Sequence, residues 1–295
     1  RGVALGGADL VVVVGTPLDF RLGYGVFGGK DDAPAARVVH VADSAAQVSG
    51  HADLAASLSG DLTLALDGIR EAVNALAHTP DWSTWVSTVQ DTARAAAERD
   101  AELLRADADP IHPARIYGEL VPRLAEDAIV IGDGGDFVSF AGKFVEPKRP
   151  GSWLDPGPYG CLGAGLGAAI AARLHRPSAQ VVLLYGDGAA GMSLMEVDTL
   201  VRHDLPVVMV CGNNSAWGLE KQPMQMLYGY DVAADLAPRT RYDEVVQALG
   251  GAGESVTDPT QIGAALDRAF AANVPYFVNV ITDVDAPYPR STFGI

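Results

Sequence analysis

The run Gln180-Val181-Val182-Leu183-Leu184-Tyr185-Gly186-Asp187-Gly188 is followed, after 24 intervening residues (189–212), by Asn213-Asn214. The apolar stretch 180–184 reads as a buried strand, 193–203 as a helix and 206–211 as a second buried strand, the pattern of two parallel strands joined by a helical crossover. Asp187 then lies just past the end of one strand and Asn214 just past the end of the next. A right-handed crossover puts both ends on one edge of the sheet. There a carboxylate and an amide oxygen can share one ion. Hard oxygen donors too few to fill an octahedron suit Mg²⁺, which completes its shell with phosphate oxygens, a backbone carbonyl and water. Gly186 and Gly188 let a diphosphate approach the backbone, and the helix N-terminus behind them favours negative charge. Taken singly, Gly-Asp-Gly and Asn-Asn are each better explained as tight turns; their placement at successive strand ends is what argues for a site.

The same alternation extends in both directions. Helices are expected at 113–124, 163–174 and 260–271, and further strands at 128–131 and 276–281. Residues 110–295 therefore read as a doubly wound parallel α/β domain, with ligands expected beyond the carboxyl ends of its strands. Residues 1–78 carry three shorter β-rich runs, at 10–14, 37–41 and 62–66, and read as part of a second parallel-sheet α/β domain. Between them, 79–109 reads as a helical linker, Ala-rich and polar, with Trp82, Trp85 and Val89 at helical spacing and Asp109-Pro110 closing it. Its tryptophans are expected to pack on a domain.

Of the 295 residues, 48% are hydrophobic and 20% charged, enough for two domains with sizeable cores. The formal net charge of −16 repels a phosphate backbone, which excludes nucleic acid as a general partner. Cys161 and Cys211 lack the closely spaced companions of a zinc site and read as small buried hydrophobes of a reducing compartment. The longest apolar runs are too short to span a bilayer, and a cytoplasmic location is the default expectation. The chain opens at Arg1 directly ahead of a strand-like run, from which it is expected to start inside a domain.

At this point the chain resembles the thiamine diphosphate (ThDP) dependent decarboxylases and synthases related to acetolactate synthase. In that family Gly-Asp-Gly and Asn-Asn at this spacing hold the Mg²⁺ that bridges the cofactor's diphosphate. The resemblance implies Asp187, Asn214 and the carbonyl of Ala216 as metal ligands, with Gly186, Gly188 and Ala189 beside the cofactor. The loop Gly132-Asp133-Gly134-Gly135-Asp136-Phe137 is similar to the one that places Gly135, Asp136 and Phe137 at the diphosphate. Synthases usually carry Gln-His where this chain has Asp136-Phe137, and Asp-Phe is closer to the branch near the 2-hydroxyacyl-CoA lyases, as is Trp153-Leu154-Asp155-Pro156-Gly157. Gly160 and Leu162 match the segment that meets the aminopyrimidine, Leu162 as the wedge under the bent cofactor; a residue of the ordinary core is the alternative. Glu220, six residues after Asn214, stands where some ThDP decarboxylases have an active-site glutamate; an exposed loop glutamate is the alternative.

Residues 1–78 resemble the C-terminal part of the family's central domain, where Arg21 and Asp43 would line an FAD site; Arg21 is equally placed to pair with Asp19 or Asp43 at the surface. The glutamate that activates the aminopyrimidine comes, in the family, from an N-terminal domain of another subunit, and no segment here resembles that pyrimidine-binding domain. A homodimer or homotetramer is implied. Three functions are open: acetolactate-synthase-like joining of two 2-keto acids in branched-chain amino acid biosynthesis; a ThDP lyase acting on an acyl-CoA, like 2-hydroxyacyl-CoA lyase or oxalyl-CoA decarboxylase; and a non-catalytic ThDP-binding subunit.

Overall fold

A computed structural model describes residues 2–29, 34–77 and 80–289, and the chain divides into two compact units, residues up to Glu98 and Arg99–Pro289. The division falls inside the segment expected as a linker. The 78/79 boundary drawn from sequence lies outside the described residues.

The first unit contains α1 (Gly2–Gly7), β1 (Leu10–Val14), β2 (Arg37–Ala42), β3 (Ala56–Ser59), α2 (Leu62–Asn74) and most of α3 (Ser83–Asp100). Its three strands are parallel in the order β1-β2-β3. Val11, Val13 and Val38 pack with Leu18 and Phe27 on one face, while Leu10, Val12 and Leu58 stay exposed. Buried His40 ties two loops together: Ser49 N–H donates to its Nδ1 at 3.1 Å, which leaves Nε2 to donate to the Thr16 carbonyl at 3.1 Å. The structure corrects the strand expected at 62–66. Those residues open α2, because the Asp61 side chain accepts the Leu64 N–H at 2.9 Å and caps the helix. The third strand is instead the Ala- and Ser-containing run 56–59.

The second unit begins in the end of α3 and continues through α4 (Pro113–Leu120), β4 (Ile129–Asp133), α5 (Asp136–Phe144), β5 (Trp153–Leu154), α6 (Gly165–His175), β6 (Val181–Gly186), α7 (Asp187–Ser193), α8 (Val197–Arg202) and β7 (Val208–Asn213). It ends with α9 (Gly218–Tyr228), α10 (Tyr242–Ala248), β8 (Ala252–Val256), α11 (Ile262–Ala271) and β9 (Tyr276–Ile281). All strand pairs are parallel, in the order β5-β4-β6-β7-β9-β8. The period of two along each strand sends neighbours to opposite faces. Leu184 and Val210 join one buried cluster with Tyr117, Phe137 and Leu266, while Leu183 and Met209 join another with Leu166, Leu200 and Phe277. Helices thus cover both faces, the doubly wound arrangement expected from sequence. After β4 the chain crosses to β5 on one side and returns to β6 on the other, so the winding reverses between β4 and β6, where such sheets open a crevice.

Two further expectations change. The helix placed at 193–203 begins earlier, at Asp187 itself, and breaks into α7, a single 3₁₀ turn at Leu194–Glu196, and α8. Cys211 is buried as expected, but Cys161 is exposed, because it lies in the loop before α6 rather than in the core. Among the described residues no helix is long and apolar enough to cross a membrane.

Candidate cofactor site

The strands β6 and β7 run in register, with Gly186 opposite Gly212, so Asp187 and Asn214 leave the sheet one residue and two residues beyond that level. Asp187 starts α7, and its carboxylate accepts the Gly188 N–H at 2.9 Å and the Ser215 N–H at 2.6 Å. The second bond draws the loop after β7 onto the end of β6. Ser215 takes a left-handed backbone (φ +59°) at this turn. Asn214 is buried, donates through Nδ2 to Asp136 Oδ2 at 2.6 Å, and accepts the Ala216 N–H at 3.2 Å. Its neighbour Asn213 serves the frame instead, donating to the Thr240 carbonyl and to Asn279 Oδ1, each at 3.1 Å.

A pocket of about 160 Å³ opens at this edge. The ends of β4, β5, β6 and β7 each supply part of its wall: Gly135 and Asp136; Pro156, Gly160 and Leu162; Gly186, Asp187, Gly188 and Ala189; Ala216 and Glu220. Two expected residues are placed elsewhere. Phe137 does not line the pocket; its ring is buried in the core beside Tyr117, with centroids 5.2 Å apart, because α5 turns that side chain under the sheet. Asn214 reaches the site through its bond to Asp136. Gly134, Trp217, Gly218 and Leu219, for which the sequence pattern gives no separate signal, also line the pocket. A β-carbon on Gly188 would overlap the Trp217 ring, so this glycine is required by the close packing of the two loops.

The electrostatics favour a cation. Burial pushes the Asp187 carboxyl up to about 7, two backbone N–H bonds oppose that shift, and the charge of Asp136 adds to it. Asp136 is raised as well, by burial first, with Glu220 contributing. Two desolvated carboxylates facing one cavity are stabilised by a positive ion between them. Among the described residues no three His, Cys, Asp or Glu cluster tightly enough to hold a metal alone. The donor set here therefore fits a hard ion that takes an amide oxygen, a backbone carbonyl and ligand oxygens besides one carboxylate. In the first unit, by contrast, Arg21 is closed on Asp19 through Nε and Nη2, at 3.1 and 2.6 Å, and Asp43 stands exposed past β2.

A glycine-lined pocket with acids in its wall, at the point where the winding of a parallel sheet reverses, is where enzymes of this architecture bind their ligands. The chain belongs to the thiamine pyrophosphate enzyme family: the C-terminal TPP binding domain matches residues 133–280. It is 49% identical to the acetolactate synthase large subunit of Mycobacterium tuberculosis over 98% of this chain and 51% of that protein. It is 34% identical to 2-hydroxyacyl-CoA lyase 2 of Caenorhabditis elegans over 92% of this chain and 43% of that protein. In fold it is similar to a ThDP-dependent 4-hydroxybenzoylformate decarboxylase of Rhodococcus jostii RHA1, with a TM-score of 0.73 over 97% of this chain and 51% of that one, at 20% identity. The chain spans about half the length of these relatives.

Proposed function

We propose that this chain is the diphosphate-binding part of an acetolactate-synthase-like enzyme that decarboxylates one 2-keto acid and joins the remainder to a second. The observation that carries this reading is the pocket in which Asp187 and the loop at Asn214–Ala216 are drawn together by the bond from Ser215 N–H to Asp187. The 49% identity to an acetolactate synthase supports the choice of reaction; the lower identity to 2-hydroxyacyl-CoA lyases supports acyl-CoA cleavage as the second reading.

When bound, ThDP supplies the nucleophilic carbon and the electron sink for the decarboxylation. This chain's residues bind and orient. Asp187, the Asn214 amide and the Ala216 carbonyl would hold Mg²⁺, and the glycine backbone at 186 and 188 leaves room for the diphosphate. Leu162 and Pro156 present an apolar wall to the organic part of the ligand and exclude water from it. Glu220 reaches the pocket mouth from the first turn of α9, where a carboxylate could exchange a proton with substrate. The activating glutamate is assigned to a pyrimidine-binding domain outside this chain, in a homodimeric or homotetrameric assembly of the cytoplasm. An FAD held by Arg21 and Asp43 would have to displace the Arg21–Asp19 ion pair.

Product analysis with the full-length polypeptide, ThDP and Mg²⁺ tests the reading. Acetolactate from pyruvate is expected. Aldehyde and formyl-CoA from a 2-hydroxyacyl-CoA would transfer the assignment to the lyase, and turnover on neither would leave a ThDP-binding subunit without catalysis.

A further inference from the structure

Asp133 ends β4 with no exposed surface, and it lines no part of the pocket. Its two carboxylate oxygens are committed to another segment: Oδ1 accepts the Gly163 N–H at 2.9 Å and Oδ2 accepts the Gly165 N–H at 2.6 Å. Those amides belong to the entry of α6, directly behind the loop that carries Gly160 and Leu162 into the pocket. Gly157, Gly160 and Gly163 all have left-handed backbones, with φ of +68°, +61° and +86°. The loop's far end is tied at the surface, where Asp155 accepts the Trp153 indole N–H at 3.0 Å and the Gly157 N–H at 2.7 Å, and Leu162 packs against the core on the α6 side of the sheet. The near end is tied by Asp133. The contact leaves no slack: a β-carbon on Gly165 would stand 2.6 Å from the Asp133 β-carbon.

We infer that Asp133 is a positioning residue for the organic end of the cofactor, holding the wall of Pro156, Gly160 and Leu162 through the Gly163 and Gly165 amides. This rests on the ThDP reading above. The pocket has two chemically different ends, and only one depends on this clamp. The ion and diphosphate end is held by a separate set of bonds, from Ser215 N–H to Asp187 and from Asn214 to Asp136, neither of which involves Asp133. The apolar wall comes from the loop after β5, and a buried carboxylate bonded to two amides holds it more rigidly than a neutral acceptor would. Burial raises the Asp133 carboxyl while both amides act to keep it ionised.

Calorimetric titration of the chain with Mg²⁺-ThDP and, separately, with Mg²⁺-pyrophosphate reads the two ends independently. In Asp133→Asn one amide loses its acceptor, and the loosened wall must be ordered again when the ligand binds, which is worth about a tenfold loss. That loss is expected for Mg²⁺-ThDP, with Mg²⁺-pyrophosphate affinity within about twofold of the parent. Asp155→Ala, at the exposed end of the loop, should give a smaller loss of the same selective kind and keeps the comparison readable if the buried substitution unfolds the chain. Unchanged ThDP affinity in both variants would overturn the inference, as would an equal loss of both ligands. A parent chain that binds pyrophosphate and ThDP equally weakly would remove the ThDP reading and this inference with it; one that binds ThDP tightly while the variants show no selectivity would remove only the inference.

Discussion

The two units are built from the same element types yet differ in how their strands are covered. In the second, every residue of β4, β6 and β7 is buried, and consecutive side chains enter clusters on opposite faces. In the first, β1 buries only Val11 and Val13, β3 buries nothing, and neither α2 nor α3 has a buried residue among those described. The difference shows what a strand-end site requires. Holding desolvated Asp187 and Asp136 at a sheet edge costs free energy, and only strands packed on both faces fix that edge firmly enough to supply it.

The sharpest test of the contrast is Asp187→Ala. Removal of the ligand at the end of β6 should weaken Mg²⁺-dependent ThDP binding by at least about a hundredfold while the far-ultraviolet circular dichroism of the sheet stays the same. Affinity within a few-fold of the parent would break the link between the covered sheet and metal binding. Next in size is a pair of truncations read by chemical denaturation. Leu184→Ala, at a side chain with no exposure, should cost roughly 2–5 kcal/mol, whereas Leu58→Ala, on the open face and 42% exposed, should stay within about 0.5 kcal/mol. Similar costs at both positions would mean that the first unit's sheet is as well covered as the second's.

The smallest effect is a slope with pH. Because burial raises the Asp187 carboxyl to about 7 in the fold, the unfolded chain ionises first as pH rises. The metal-free protein should therefore lose stability from this group between the ordinary carboxylate range and about pH 7, by up to about 1.4 kcal/mol per pH unit, and no further above it. Asp187→Asn removes the proton and should flatten that slope, whatever its effect on absolute stability. Thermal melts of parent and variant from pH 4 to 8 that run parallel would contradict it.

What could be read in the sequence follows the range of the forces involved. The buried strands β6, β7 and β9 and the Asp187 and Asn214 positions announce themselves through continuous apolar runs and local spacing. The first unit is harder: Ala56–Ser59 carries one large apolar side chain, Leu58, and was passed over, while Leu62, Leu64 and Leu66 alternate like a strand until Asp61 is seen to cap a helix. Asp133, behind the pocket, and Trp217, in its wall, have little signal in the sequence because each acts across the fold. Asp133 bonds residues 30 and 32 positions away, and Trp217 matters by its fit against Gly188. No local pattern encodes either contact. The one available signal was an acid directly at the end of β4. For Phe137 the motif gives a position beside the pocket but not the direction of the ring, which α5 turns into the core.

The order β7-β9-β8 has a consequence for the birth of the molecule. The strand that runs beside β7 is the last of the described strands to be made, so a nascent chain threading from the ribosome keeps that flank of β7, and with it the Asn213–Asn279 link, open until residue 281 has emerged. The loop bearing Asn214 is therefore among the last parts of the pocket to settle, and a chain halted before Tyr276 would carry its ligands on a half-finished edge.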